Sequence, residues 1–282
     1  DQYSDIFATV QILVGMTPTN IRYMANTTMD KFSTAFAFHW QREQDNSTVR
    51  DWREFSTQML SIPMAHQMAT SYMILDGTKN KQMLKVMRPY QVYATRRIIE
   101  KLRRMTFGID PKEAGYIWHT TGSGKTISSF KAAWLASRLP NVDRVVFMVD
   151  RVALTNQTAA NYAAYDPDSN DENKNGVVAD TANVNALARK LKSASGIIVT
   201  SIQKMEHLVK RKGFQTPRDN IVFIVDEAHR STPGETFQLV KKAFPKSAWI
   251  GYTGTPSFTG ITTGQIFGDP LHIYTIREAI AD

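Results

Sequence analysis

Cysteine is absent from all 282 residues, so a disulfide framework, a Cys-ligated zinc site and a catalytic thiol are all excluded. No uncharged apolar run reaches the roughly 18 residues that a membrane-crossing helix needs. Residues 1–14 also lack the basic start and long apolar centre of a secretion signal. Disorder throughout is excluded as well, because 42% of residues are hydrophobic and only 21% are charged. The expectation is a soluble, cytoplasmic chain with a real core. At roughly 100–200 residues per domain, its length suits one domain and part of another.

Excess charge is lacking in one part of the chain and concentrated in the other. Residues 1–85 hold eight acidic and eight basic side chains, so the whole formal charge of +8 falls in 86–282. A basic surplus favours a polyanionic partner, although charge alone does not name one.

The two parts also differ in pattern. In 1–85, residues 6–14 suit a short strand or a buried helix, and 20–25 follow a Thr-Pro-Thr-Asn turn signal. Phe32, Phe36, Phe38 and Trp40 offer aromatic core material, and 49–59 reads as a helix with capping residues at 46–48. Nothing there has the spacing of a catalytic site. From residue 87 onward, short apolar strands alternate with amphipathic helices. The strands are expected at 115–118, Arg144–Val149, Gly196–Ser201, Ile221–Val225 and 248–252, and the helices at 91–104, 126–137, 182–192 and 236–243. Nearly continuous apolar strands joined through helices predict an α/β fold with a mostly parallel sheet covered on both faces. The polar stretch 166–176 reads as a solvated loop.

The strongest motif is His119-Thr120-Thr121-Gly122-Ser123-Gly124-Lys125-Thr126, placed between a predicted strand and a predicted helix. A phosphate-binding loop needs that context, with glycines to wrap the backbone and N–H groups and a helix N-terminus to face the anion. Thr121, Gly122, Ser123, Gly124, Lys125 and Thr126 are therefore the candidate ATP ligands. Lys125 would reach the β- and γ-phosphates, and the Thr126 hydroxyl would hold Mg²⁺. His119 stands where the general loop has its first glycine.

About a hundred residues later, Ile221–Val225 runs into Asp226 and Glu227. A strand that ends in two carboxylates at a sheet's C-terminal edge suits Mg²⁺ coordination by Asp226 and activation of the attacking water by Glu227. Arg88-Pro89-Tyr90-Gln91 is either an ordinary helix start or a segment that reads adenine through the Gln91 amide. Thr253, Gly254 and Thr255, before Pro256, form either a plain turn or a link between nucleotide state and DNA movement.

With these motifs in this order, the chain resembles superfamily 2 helicase-type ATPases. More narrowly, it resembles the restriction (HsdR) subunit of type I restriction-modification enzymes. The narrower likeness rests on Gly115-Tyr116-Ile117-Trp118 leading into His119–Thr126, on Val149-Asp150-Arg151, and on the 197–204 string. It rests also on 226–230, Tyr252 to Pro256, and Phe267-Gly268-Asp269-Pro270-Leu271-His272. In this family His119 is an expected occupant of its position.

The resemblance implies a RecA-like P-loop domain, the first of two motor domains, over 86–282. Residues 1–85 would be the end of a nuclease domain and its connector, whether mixed α/β or helical. It implies ATP and Mg²⁺ as cofactors, and double-stranded DNA with methylation (M) and specificity (S) subunits as partners. The reaction is ATP-driven DNA translocation in support of endonucleolytic cleavage, with the nuclease centre and the second motor domain outside 1–282. Arg151, Ser201, Gln203 and Lys204 are the expected DNA contacts, and Lys210, Arg211, Lys212 and Arg218 are either further contacts or a solvated helix end. Two other readings stay open: a helicase of another superfamily 2 branch, and a nucleotide-binding scaffold without turnover.

Overall fold

The computed structural model describes residues 9–78, 82–149, 152–166, 178–193, 196–226 and 234–281. The chain divides into two compact units, Asp1–Tyr93 with Arg277–Asp282, and Ala94–Ile276.

In the first unit, β1 (Ile12–Met16) and β2 (Ile21–Ala25) form an antiparallel hairpin. Its turn is closed by Thr17 N donating to Asn20 O at 2.9 Å and Asn20 N donating to Thr17 Oγ1 at 3.0 Å. β3 (Met73–Asp76) and β4 (Met83–Val86) form a second antiparallel pair. Trp40 is fully buried between Tyr23 and Tyr93, with edge-to-face ring centroids 5.8 and 5.7 Å away. The hydroxyls of Tyr23 and Tyr93 donate to the carbonyls of Met87 and Gln41, which satisfies their polar tips in a buried setting.

Two expectations for this unit fail. Phe32 and Phe36 lie on 3₁₀ turns at 50% and 51% exposure, so Trp40 alone of the four aromatics is fully buried. The helix expected over 49–59 begins only at Trp52, because the Asp51 carboxylate caps it by accepting from Arg53 N and Glu54 N. Ser47 instead donates to Asp45 in a turn, and the helical stretch widens at Ser56–Leu60.

The second unit is built on seven strands: β5 (Glu113–His119), β6 (Arg144–Val149), β7 (Val178–Asp180), β8 (Gly196–Ser201), β9 (Ile221–Val225), β10 (Ser247–Thr253) and β11 (Pro270–Tyr274). They lie in the order β11-β5-β10-β9-β6-β8-β7, and every neighbouring pair is parallel.

Period-2 alternation gives each strand two apolar faces. Val146, Met148, Ile198, Phe223 and Trp249 join one cluster with residues from helices Val184–Ser193, Ile202–Val209 and Glu235–Ala243. Within it, the Phe223 and Trp249 rings stack 4.1 Å apart at 4°. On the other face, Phe147 meets Tyr162 of helix Val152–Tyr165 at 4.8 Å, and Tyr162 in turn meets Phe130 of helix Lys125–Ala136. The expected α/β fold, a parallel sheet flanked by helices, is therefore what forms.

β6, β8 and β9 occupy the residues their apolar runs predict, while β7 and β11 lie outside the strands read from sequence. Of the expected loop over 166–176, all but Asp166 lies outside the described residues. No helix among the described residues is long and apolar enough to cross a membrane.

Candidate nucleotide-binding site

Because β10 is hydrogen-bonded to both β5 and β9, three loops meet at one stretch of the sheet's C-terminal edge. They are the loop after β5, the loop after β10, and the residue that follows β9. In open parallel sheets this edge is where ligands bind.

The loop after β5 turns sharply into the Lys125–Ala136 helix. Gly122 and Gly124 hold φ of 85° and 75°, a left-handed conformation that an L side chain resists. Ser123 ties the turn together, its hydroxyl donating to Thr120 O at 2.7 Å and its N–H to the same oxygen at 3.3 Å. The Lys125 ammonium lies 3.5 Å from both His119 O and Thr120 O, long for hydrogen bonds. Thr121 and Thr126 are exposed on this surface.

Gly254 closes the cradle from the other side. A Cβ there would lie 3.3 Å from Thr121 Oγ1, 3.5 Å from His119 O and 3.5 Å from Lys125 Nζ. The loop after β10 therefore lies within ordinary contact distance of the phosphate loop, and a larger side chain at 254 would crowd it. Thr253 is fully buried, and its hydroxyl accepts from Thr255 N at 3.1 Å, which shapes the turn. The structure thus brings Thr121, Lys125 and Gly254 together.

The first residue beyond each working strand is pinned to the neighbouring strand. Asp226 N donates to Met148 O at 2.9 Å, and Thr120 N donates to Tyr274 O at 2.9 Å. Both loops therefore leave the sheet from fixed points. Glu227, the expected base, lies outside the described residues, as does Arg151.

The remaining candidates have definite local tasks. Ser201 is fully buried, and its hydroxyl accepts from Lys204 N at 3.3 Å as the cap of helix Ile202–Val209. That helix carries Gln203, which is exposed, and Lys204, whose ammonium donates to Thr181 O. Ser201 thus orients its neighbours and presents no surface of its own. Gln91 belongs to the first unit, where its Oε1 accepts from Arg88 N at 3.0 Å across the first turn of helix Pro89–Arg104.

The layer beneath the phosphate loop was not legible in the sequence. His119 is fully buried and lies 2.9 Å, Nε2 to Nδ1, from His272 on β11. Burial, then His272 and Lys125, hold His119 well below its ordinary pKa, so its ring is neutral. Tyr162, also fully buried, donates to Ser129 Oγ at 2.8 Å, and burial raises its phenol well above the usual range. On helix Lys125–Ala136, burial and then Arg138 lower Lys131 to about 8, and its ammonium lies 4.5 Å over the Trp134 ring.

ATP and Mg²⁺ are compatible with these residues. The close approach of Gly254, the two left-handed glycines and the Lys125 ammonium suit a phosphate chain. One hydroxyl from Thr126 and one carboxylate from Asp226 suit Mg²⁺, which takes one or two carboxylates together with substrate phosphates and keeps several waters.

Comparison with known proteins agrees with this geometry. The SWI2/SNF2 ATPase family profile matches residues 90–282. The endonuclease subunit of type I restriction enzyme SauMSSORF170P from Staphylococcus aureus (strain MSSA476) is 34% identical over 99% of this chain. The chain spans 29% of that relative's length. A Mycoplasma pneumoniae protein described as the C-terminal part of the MpnIIP type I restriction endonuclease subunit is 35% identical, with 72% of this chain covering 98% of it. Among solved structures, the ATP-dependent Type ISP restriction-modification enzyme LlaBIII bound to DNA superposes with a TM-score of 0.50. That match has 14% identity and covers 72% of this chain and 16% of the other, so it bears on the fold alone.

Proposed function

On the premise that the chain belongs to the SWI2/SNF2 ATPase family, within the endonuclease subunits of type I restriction enzymes, we propose that it is the nucleotide-binding part of an ATP-driven double-stranded DNA translocase. Residues 86–282 act as the first motor domain, and 1–85 connect it to a nuclease domain. The observation that supports this best is the convergence of Lys125, Thr121 and Gly254 at the edge of a parallel sheet, beside Asp226.

In this reading, N–H groups of 122–126 and the N-terminus of helix Lys125–Ala136 receive the phosphates. Lys125 leaves the carbonyls of His119 and Thr120 to contact the terminal phosphates. Thr126 and Asp226 hold Mg²⁺, which neutralises charge on the phosphate oxygens when bound. Glu227 orients and deprotonates the attacking water, and Gln91 reads the adenine edge. Thr253, Gly254 and Thr255 follow β10, which pairs with both β5 and β9, and Gly254 lies beside the phosphate loop, which suits them to pass nucleotide state to bound DNA.

Gln203 and Lys204 supply DNA contacts from the helix that follows β8, which Ser201 caps, and Arg151 supplies a further one. Contacts of this kind go to phosphates, so affinity falls steeply with salt and carries no sequence preference. Sequence choice is left to specificity and methylation subunits, and the protein works in the cytoplasm with its DNA.

The test is phosphate release by the full-length subunit with duplex DNA. Lys125→Ala lowers turnover by about a hundredfold or more, the scale of losing a preorganised charge partner in phosphoryl transfer. Its unfolding midpoint stays near wild type, because Lys125 is the first residue of its helix, at the helix's end rather than in the core. Turnover that survives Lys125→Ala sinks the proposal. Absence of DNA-stimulated turnover in the wild type would favour a nucleotide-binding scaffold, and strand separation without partner subunits would favour a helicase of another branch.

A further inference from the structure

The position that gives a general phosphate loop its first glycine is here the most enclosed residue of the motif. His119 is fully buried and His272 is 3% exposed. Their rings cross edge to face, with centroids 5.1 Å apart at 81° and Nε2 of His119 at 2.9 Å from Nδ1 of His272. Tyr274 closes the stack, 6.0 Å from His119 and edge-on. The same short strand also fixes the backbone, since the Tyr274 carbonyl accepts from Thr120 N at 2.9 Å. β11 therefore grips the root of the phosphate loop twice, once through a side chain and once through the main chain.

A glycine at 119 would leave that root free to wrap around the anion. The histidine removes this freedom and replaces it with an anchor. At this distance one of the two nitrogens donates its N–H and the other accepts, so each ring fixes the tilt of its partner. The carbonyl of His119 is one of the two that receive Lys125 Nζ, and it also lies 3.5 Å from where a Cβ of Gly254 would stand. Ring orientation at 119 is thereby linked to the resting place of the ammonium and to the fit of the loop after β10.

We propose that the His119–His272 hydrogen bond is a positioning device for nucleotide binding, by which edge strand β11 holds the phosphate loop in its receptive shape. This inference rests on the reading of the loop as an ATP site. Neither imidazole touches the phosphates, since both are enclosed beneath the loop. Losing the bond therefore weakens ATP capture and leaves the chemical step largely alone, as expected when preorganisation is lost while the reacting groups are kept.

The experiment measures ATP hydrolysis by the full-length subunit with duplex DNA, separating KM from kcat. His272→Leu removes the hydrogen bond at similar volume; KM for ATP rises about tenfold and kcat stays within about twofold. His272→Asn places an amide near the former Nδ1 and brings KM back to within about threefold of wild type. A folded His272→Leu subunit with unchanged KM overturns the proposal, and so does one that loses kcat alone. If His272→Leu does not fold, the Asn variant still decides, because a tenfold rise in its KM shows that a retained hydrogen bond does not set affinity. Lys125→Ala is run beside them. An inactive Lys125→Ala with a wild-type His272→Leu refutes only the role of the pair, whereas an active Lys125→Ala refutes the nucleotide site itself.

Discussion

The two ends of the seven-stranded sheet use the same kinds of residue to opposite purposes. At the N-terminal end of the strands, polar groups are committed to one another. Lys241 is buried, pairs with Glu113 and donates to Ile266 O at 2.8 Å, while Lys112 donates to Lys241 O at 2.9 Å. Arg144 binds Asp219 at 3.1 Å and Lys190 O at 3.3 Å, and Asn220 N donates to Asp143 at 2.6 Å. Glu113 shows the effect of such commitment. Burial works to raise its pKa, but the hydrogen bonds from Lys241 and its own backbone, with the charges of Lys241 and Lys112, outweigh burial and hold it below the usual range.

At the C-terminal end, by contrast, Lys125 lies 3.5 Å from the carbonyls of His119 and Thr120, long for a hydrogen bond, and the backbone around it includes two left-handed glycines. Lysine is a brace at one end and a reserve at the other. A closed network stabilises the fold, and an open one is ready for a ligand.

Three substitutions break or sharpen that contrast. The largest effect belongs to Gly254→Val, because side-chain atoms there press on Thr121, Lys125 and the His119 carbonyl. Turnover in the full-length subunit falls about a hundredfold, the usual consequence of displacing a reacting group by about an ångström. The unfolding midpoint changes little. Lys241→Met at the opposite end reverses this pattern. It strands Glu113 without its partner and costs about 2 kcal/mol, below the roughly 3–5 kcal/mol of a fully buried pair because Glu113 keeps some solvent. Denaturant unfolding reports that loss, while KM for ATP is unchanged.

The smallest effect is that of Asp219→Ala, whose pair with Arg144 is partly exposed; the loss stays under about 1 kcal/mol. An Asp219→Ala subunit without turnover, or a Gly254→Val subunit that unfolds, would dissolve the division between the two ends.

The sequence made the open end easy to read and the hidden layer under it hard. Gly122, Gly124, Lys125 and Thr126 are adjacent because a backbone wrapped around an anion needs them within one turn, so local order carries the signal. β6, β8 and β9 were equally plain, since a strand covered on both faces is apolar throughout. β11 was not, because it begins with Pro270, carries His272 among apolar residues and lies at the sheet's border, where proline is tolerated. The partnership of His119 and His272 joins residues 153 positions apart, and no local pattern announces it. In the first unit, Phe32 and Phe36 read as core by residue type alone. Their exposure was settled by two short turns that hydrophobicity does not encode.

The strand order bears on how the protein is made. β5 has β10 and β11 as its only neighbours in the sheet, and both follow it by most of the length of the second unit, with Tyr252 pairing with Ile117 and Tyr274 with His119. As the chain leaves the ribosome, the strand that ends in the phosphate loop therefore waits with both edges unpaired until residues beyond 247 emerge. β6, β8 and β9 can join beforehand. Long-range parallel pairing of this kind is slow, and it leaves strand edges open to wrong partners while it waits. The candidate nucleotide site is thus among the last parts of this unit to take shape.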